Sequence, residues 1–204
     1  MSPAGRKPAP RPRRRASEPS RTKGSLRVVA GTARGRRLDA PPGEGTRPTS
    51  DRVREAIFNA LTSLGVVDGA RVLDAFAGSG ALGIEAASRG AAHVTFADVD
   101  AGAREVIGTN LAATGFGDVA VVTAADGVAL VARGPWDLVL LDPPYAMDRW
   151  PELVDALVAG LATGGVAVIE ADHEVDLGPL LDAIRVRRYG GTVVTFASPT
   201  EATP

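Results

Sequence analysis

From Arg71 onward the chain alternates between short apolar runs and stretches with helical spacing, and this alternation limits the fold more than any other feature. The strand-like runs are Arg71–Ala75, His93–Ala97, Val119–Ala124, Trp136–Leu141 and Gly165–Glu170, with Arg185–Tyr189 and Thr192–Ala197 closing the chain. Helical stretches are expected near 81–89, 101–114, 127–133, 150–161 and 177–184. Strands that alternate with helices in this way build an α/β domain, a parallel sheet with helices on both faces. Only Gly190-Gly191 separates the last two runs, a two-residue loop, so a seven-stranded, mostly parallel sheet ending in an antiparallel hairpin is expected.

A smaller unit precedes the sheet. Leu26–Ala30 and Arg36–Leu38 read as two short strands around a glycine turn, Gly31 to Gly35. After Pro41-Pro42-Gly43, residues Val53, Ile57, Phe58 and Leu61 recur at helical spacing, and Thr49, Ser50 or Asp51 can cap that helix. Residues 1–24 carry five prolines among Arg and Ser and little to bury, which is the composition of a disordered leader. The repeated prolines oppose the amphipathic helix of a transit peptide. Three parts follow: a leader over 1–24, a hairpin and helix over 25–64, and the sheet domain over 65–204.

Charge is distributed unevenly. The formal net charge is only −1. Yet residues 1–54 hold 15 basic and four acidic residues, a net of +11, while residues 55–204 hold eight basic and 20 acidic ones, a net of −12. A basic arm on an acidic body fits a polyanionic partner, because clustered arginines are what phosphate contacts require. Arg34, Arg36 and Arg37 at the turn, and Arg47, Arg52 and Arg54 around the helix start, are the expected phosphate contacts. Cations in a first helical turn oppose the helix dipole, so Arg52 and Arg54 point to an anion nearby. No apolar run is long enough to span a membrane and no apolar core follows the charged N-terminus, so a cytoplasmic protein is expected. Cysteine is absent, which excludes disulfides, thiolate zinc sites and a cysteine nucleophile. With His93 and His173 the only histidines, no metal site is expected.

The chemistry sits at the ends of the strands. The first strand runs into Asp74-Ala75-Phe76-Ala77-Gly78-Ser79-Gly80, where the glycines let the backbone turn tightly against a ligand. Residues 78–83 satisfy G-x-G-x-x-G and Asp98 lies 20 residues past Gly78, so a nicotinamide-dependent oxidoreductase enters the comparison. Asp74 argues against it: a carboxylate there repels a pyrophosphate but suits the cationic amino-acid end of S-adenosylmethionine. Asp98 at the end of strand two can accept from both ribose hydroxyls, and Asp126 after strand three can take an adenine amino group. Strand four ends in Asp142-Pro143-Pro144-Tyr145. The prolines remove backbone donors, so Asp142 and nearby carbonyls form a set of acceptors suited to an exocyclic NH2, with Tyr145 as a stacking face.

The Asp-Pro-Pro-Tyr run together with Val72–Gly80 resembles the S-adenosylmethionine-dependent amino-group methyltransferases. The run Gly78–Ala91, preceded by Arg47-Pro48-Thr49, by Arg52–Asn59 and by Leu26–Gly31 with Gly35-Arg36, is similar to one family among them. That is the RsmD family, bacterial methyltransferases of a guanine N2 in small-subunit (16S) ribosomal RNA; the similarity covers about residues 26–198. The resemblance implies a Rossmann-like class I methyltransferase fold, S-adenosylmethionine as donor, S-adenosylhomocysteine as product and no metal. It also implies a partner in small-subunit ribosomal RNA or the assembling subunit, and a monomeric enzyme is expected. In this sequence it places Asp74, Gly78 and Gly80 at the methionine end, Asp98 at the ribose and Asp126 near the adenine, with Phe76 and Ser79 also among the cofactor-binding residues. Asp142, Pro143, Pro144 and Tyr145 would hold the guanine. Pocket chemistry by itself also fits DNA adenine, DNA cytosine or a protein glutamine as acceptor. A non-catalytic RNA-binding assembly factor is the reading from a different class.

Overall fold

A computed structural model describes residues 26–41 and 50–200. The leader over 1–24, Arg47 and Thr49 lie outside the described residues. Seven strands form one sheet: β1 (Arg71–Asp74), β2 (His93–Ala97), β3 (Ala120–Thr123), β4 (Trp136–Leu141), β5 (Leu161–Ala171), β6 (Leu181–Tyr189) and β7 (Thr192–Pro199). Their order across the sheet is β3-β2-β1-β4-β5-β7-β6. The first five run parallel, and β7 pairs antiparallel with both β5 and β6. The expected mostly parallel sheet closed by a hairpin is therefore present.

Among the described residues five α-helices flank it: α1 (Asp51–Leu64), α2 (Ala81–Ser88), α3 (Ala101–Thr114), α4 (Gly127–Val131) and α5 (Trp150–Gly160). Two apolar layers result. One joins α1, α2 and α3 to the sheet through Phe58, Ile84, Phe96, Ile107 and Phe196, all almost fully buried. The other joins α4 and α5 to the opposite face through Val131, Val139, Leu153 and Leu157. Leu26, Val28 and Leu38 of the N-terminal segment belong to the first layer, so the hairpin and α1 share a core with the sheet. Among the described residues no helix is long and apolar enough to cross a membrane.

Two local expectations differ from the structure. Residues 177–184 are not helical: the chain turns at Gly178, in the left-handed region at φ 63°, and enters β6 at Leu181. From Leu181 to Ala183 the segment pairs with β7, and a bulge between Ala183 and Arg185 absorbs the irregular register. The N-terminal hairpin has a single ladder bridge, Arg27 with Arg37, and is closed by Val28, Gly35 and Leu38 amides donating across it. Its main support is α2, on which Gly31 packs so closely that a Cβ would fall 1.9 Å from the Ser88 carbonyl oxygen.

Candidate active site

Strand order reverses between β1 and β4, the two central neighbours, and the helices that follow them cover opposite faces. A crevice opens outside the carboxyl ends of strands at such a point. Asp74 and Asp142 stand at those two ends.

A cavity of about 560 Å³ occupies this crevice. Its walls are Phe76 and Gly78 after β1, Asp98 and Val99 after β2, Asp126 and Gly127 at the start of α4, and the strip from Asp142 to Ala146. Asp98 is fixed in place: its Oδ2 accepts from the Gly78 amide at 2.8 Å and its Oδ1 from the Asp100 amide at 2.9 Å. Gly78 has φ 52° and open space where a Cβ would stand, so the loop presents bare backbone to the cavity. Asp126 caps α4 through the Ala129 amide at 2.9 Å and pairs with Arg149 Nη1 at 3.1 Å. A carboxylate has about four acceptor positions, so these contacts leave capacity for a ligand.

Three residues assigned to the cofactor from the sequence do not reach this wall. Ser79 has its carbonyl held by Asn110 Nδ2 at 2.8 Å, and Gly80 starts α2 at φ 76°, packed toward Ile107. Asp74 is 1% exposed and accepts from the Gly83 amide at 2.8 Å. Burial pushes its pKa up to about 7; the Gly83 bond opposes the rise and the negative charges of Asp142 and Asp98 add to it. These three shape the loop from behind.

A second cavity, about 220 Å³, lies on the other side of the same strip, so Asp142, Pro143, Pro144 and Tyr145 line both. Its far walls are Ser50, which caps α1, Val53 of α1, Trp150 of α5, Glu170 of β5 and the hairpin tip Tyr189–Thr192. Tyr145 is 71% exposed, its ring open to the crevice. Sequence reasoning passed over Trp150, Glu170 and Tyr189. Glu170 was detectable by the rule applied to the other acids, since it stands near the carboxyl end of a strand, and Tyr189 adjoins the Gly190-Gly191 turn. Among the described residues no cluster of His, Cys, Asp or Glu could hold a metal ion.

The arginines fall into different places. Arg54 is completely buried, which corrects its assignment to phosphate: Nη2 donates to the Arg27 carbonyl at 2.6 Å and to Asp51 at 2.7 Å, and Nε lies 4.0 Å from Glu85. Packing of α1 against α2 turns this side chain inward, something no one-dimensional charge count reveals. Glu85, also buried, accepts from the Val29 and Ala30 amides at 2.7 and 3.0 Å and from Arg89 at 2.8 Å. Arg34 and Arg36 are exposed, but the turn carries them toward the C-terminal ends of α2 and α3, where Arg36 reaches the Ala113 carbonyl at 3.3 Å. That is the edge of the sheet away from both cavities. Arg37 is exposed at the bridge to Arg27, and Arg52 is exposed on the first turn of α1, beside the cavity-lining Val53.

A protein-family model described as conserved hypothetical protein 95 matches residues 26–198. The chain belongs to this family. It is 39% identical over 156 residues to ribosomal RNA small subunit methyltransferase D of Escherichia coli (strain K12), spanning 76% of this chain and 78% of that protein. Identity to YlbH of Bacillus subtilis (strain 168) is 38% over 181 residues, 84% of this chain and 97% of that one. The solved structure of yhhF from Escherichia coli superposes with a TM-score of 0.76 at 34% identity, covering 86% of this chain and 98% of that chain. The family resemblance read from the motifs therefore holds, the fold is that of class I methyltransferases, and this member of the family is a methyltransferase.

Proposed function

We propose that the protein transfers a methyl group from S-adenosylmethionine to the exocyclic N2 of a guanine in small-subunit (16S) ribosomal RNA, acting as a cytoplasmic monomer. The observation that carries this reading is the shared wall: one strip, Asp142–Tyr145, faces a donor-sized cavity on one side and a smaller, acceptor-lined cavity on the other. Similarity to ribosomal RNA methyltransferases supports RNA as the acceptor.

The larger cavity fits the donor on structural grounds. It offers a pre-positioned carboxylate in Asp98 for a pair of ribose hydroxyls, bare backbone at Gly78, and Asp126 within reach of a base amino group. Gly80 and Ser79 hold the loop, and Asp74 beneath it adds negative potential toward the methionine ammonium once it is ionised, above a pH of about 7. The bound donor supplies an electrophilic methyl on a sulfonium.

Asp142 and the Pro143 carbonyl accept hydrogen bonds from the guanine NH2, and the Tyr145 ring covers the base. Guanine N2 is a weak nucleophile because its lone pair is delocalised. Holding both N–H bonds leaves that lone pair facing the methyl, where alignment at roughly 3–3.5 Å supplies much of the rate. The N–C bond replaces the sulfonium C–S bond, and one N–H proton leaves to Asp142 or to water. The base must leave its stack to enter, which favours a loop or bulge.

The test is incubation of the protein with labelled S-adenosylmethionine and small ribosomal subunits from cells lacking this modification, followed by digestion and nucleoside mass spectrometry. Labelled N2-methylguanosine at one site is the expected product. Label on another base, or none with donor binding intact, overturns guanine as the acceptor.

A further inference from the structure

The basic residues singled out in the first 54 positions leave one concentration of charge unassigned. Of the eight arginines in the acidic body, Arg185, Arg187 and Arg188 fall within four residues on β6. This strand is the edge of the sheet, and it runs parallel to β5, so its last residues reach the carboxyl edge where the cavities open. Tyr189, the residue after Arg188, lines the smaller cavity.

Register decides which way these side chains face. Arg185 pairs with Phe196 and Arg187 with Val194, and both partners point into the layer that contains α1. Residues directly opposite on neighbouring strands share a face. Arg185 and Arg187 thus extend from the α1 side of the hairpin, with Arg187 exposed and Arg185 half-exposed, in line with Tyr189. Across the cavity mouth stands the start of α1, with Ser50 and Val53 in the wall and exposed Arg52 beside them. Arg188 faces the opposite side and pairs with Glu174 at 2.7 Å, both about 60% exposed.

The interior carries the reverse sign. Asp142, Glu170 and Asp172 line the cavity and repel a phosphate from it. A neutral base is admitted while its backbone is kept to the rim, where the arginines are.

We propose that Arg185 and Arg187 on the edge strand β6 form a phosphate-binding rim that holds the RNA backbone flanking the base seated in the smaller cavity. The occupant is single-stranded RNA, and the proposal rests on the reading of that cavity as the acceptor site. The turn arginines Arg34 and Arg36, at the other edge of the sheet, do not belong to this rim.

The experiment compares the full-length wild type with Arg185→Gln/Arg187→Gln and Arg185→Lys/Arg187→Lys doubles. Filter binding to small-subunit ribosomal RNA over a salt series, methyl-transfer kinetics and calorimetric binding of S-adenosylhomocysteine are measured. For two single-strand phosphate contacts, the slope of log K against log salt becomes shallower by about 1.4 in the Gln double, and Kd at 0.1 M salt rises about 25-fold. KM for RNA rises with it, while kcat and the homocysteine-product affinity stay at wild-type values. The Lys double keeps the wild-type slope. An unchanged slope and KM in the Gln double, beside a salt-sensitive wild type, overturns the rim. A wild type that binds RNA without salt dependence overturns it as well. A wild type that binds RNA but puts no label on guanine removes the acceptor reading instead, and the slope comparison still decides whether the rim binds RNA.

Discussion

The Gly78 amide donates to Asp98 Oδ2 at 2.8 Å, tying the loop after β1 to the end of β2. The carboxylate that would meet a ribose is therefore oriented by the loop whose Gly78 lines the same cavity. Replacing it loosens both. Asp98→Ala is expected to weaken S-adenosylhomocysteine binding by about 10- to 100-fold, the worth of one or two charge-assisted hydrogen bonds of roughly 1.5–3 kcal/mol. Isothermal calorimetry checks this, and an affinity within twofold of wild type would remove Asp98 from the cofactor site.

Asp142→Ala is expected to lower kcat on the order of 10²–10⁴-fold, the range in which positioned polar groups act on a reacting atom. Binding of S-adenosylhomocysteine should change less than tenfold, because Asp98, Gly78 and Asp126 are untouched. Single-turnover kinetics with saturating donor separate the two effects. Near-normal turnover would mean that the amino group is held elsewhere.

Asp74 makes stability depend on pH. Its carboxyl titrates near 3.8 in the unfolded chain and at about 7 when buried, so between these values the folded protein keeps a proton that the unfolded chain has lost. Stability then falls as pH rises from about 4 to about 7, and the full loss, on the order of 4 kcal/mol, is present above that. Asp74→Asn should flatten this part of the profile. Thermal melts from pH 5 to pH 8 on both proteins are the check; parallel profiles would place the cause in another group.

Glu85 fastens the N-terminal segment to α2 through backbone amides and also faces Arg54 and Arg89. Glu85→Ala leaves those buried groups without their acceptor, a class of change that costs about 3–5 kcal/mol. For a chain of this size that corresponds to a Tm lower by on the order of 10 °C. Hydrogen exchange should accelerate first at Val29 and Ala30. Unchanged protection there would show that packing on Ser88 holds the segment by itself.

Local order in the chain revealed the architecture but not the interior. Strand and helix positions from Arg71 to Gly160 follow from apolar spacing and turn residues, which act over a few neighbours. The stretch 177–184 escaped this logic because its state is set by pairing with β7, up to 18 residues later along the chain. The acids at strand ends were visible because topology brings such ends together, and Asp98, Asp126 and Asp142 do meet at one crevice. What spacing does not disclose is direction. Arg54 reads as a cation beside a helix start, yet the fold turns it into the core, and Tyr189 and Trp150 become cavity walls only once distant elements are packed.

The strip from Asp142 to Tyr145 is a partition with a chamber on each side, and this limits how the enzyme can diverge. A change in the partition alters a surface that both chambers share, even where, as expected for Asp142→Ala, its effect on the donor side is small. The opposite walls, from the start of α1, Trp150, Glu170 and the hairpin tip, line only the smaller cavity. If the smaller cavity takes the base, retargeting to a different base or RNA context is expected at those walls, with the larger chamber left unchanged.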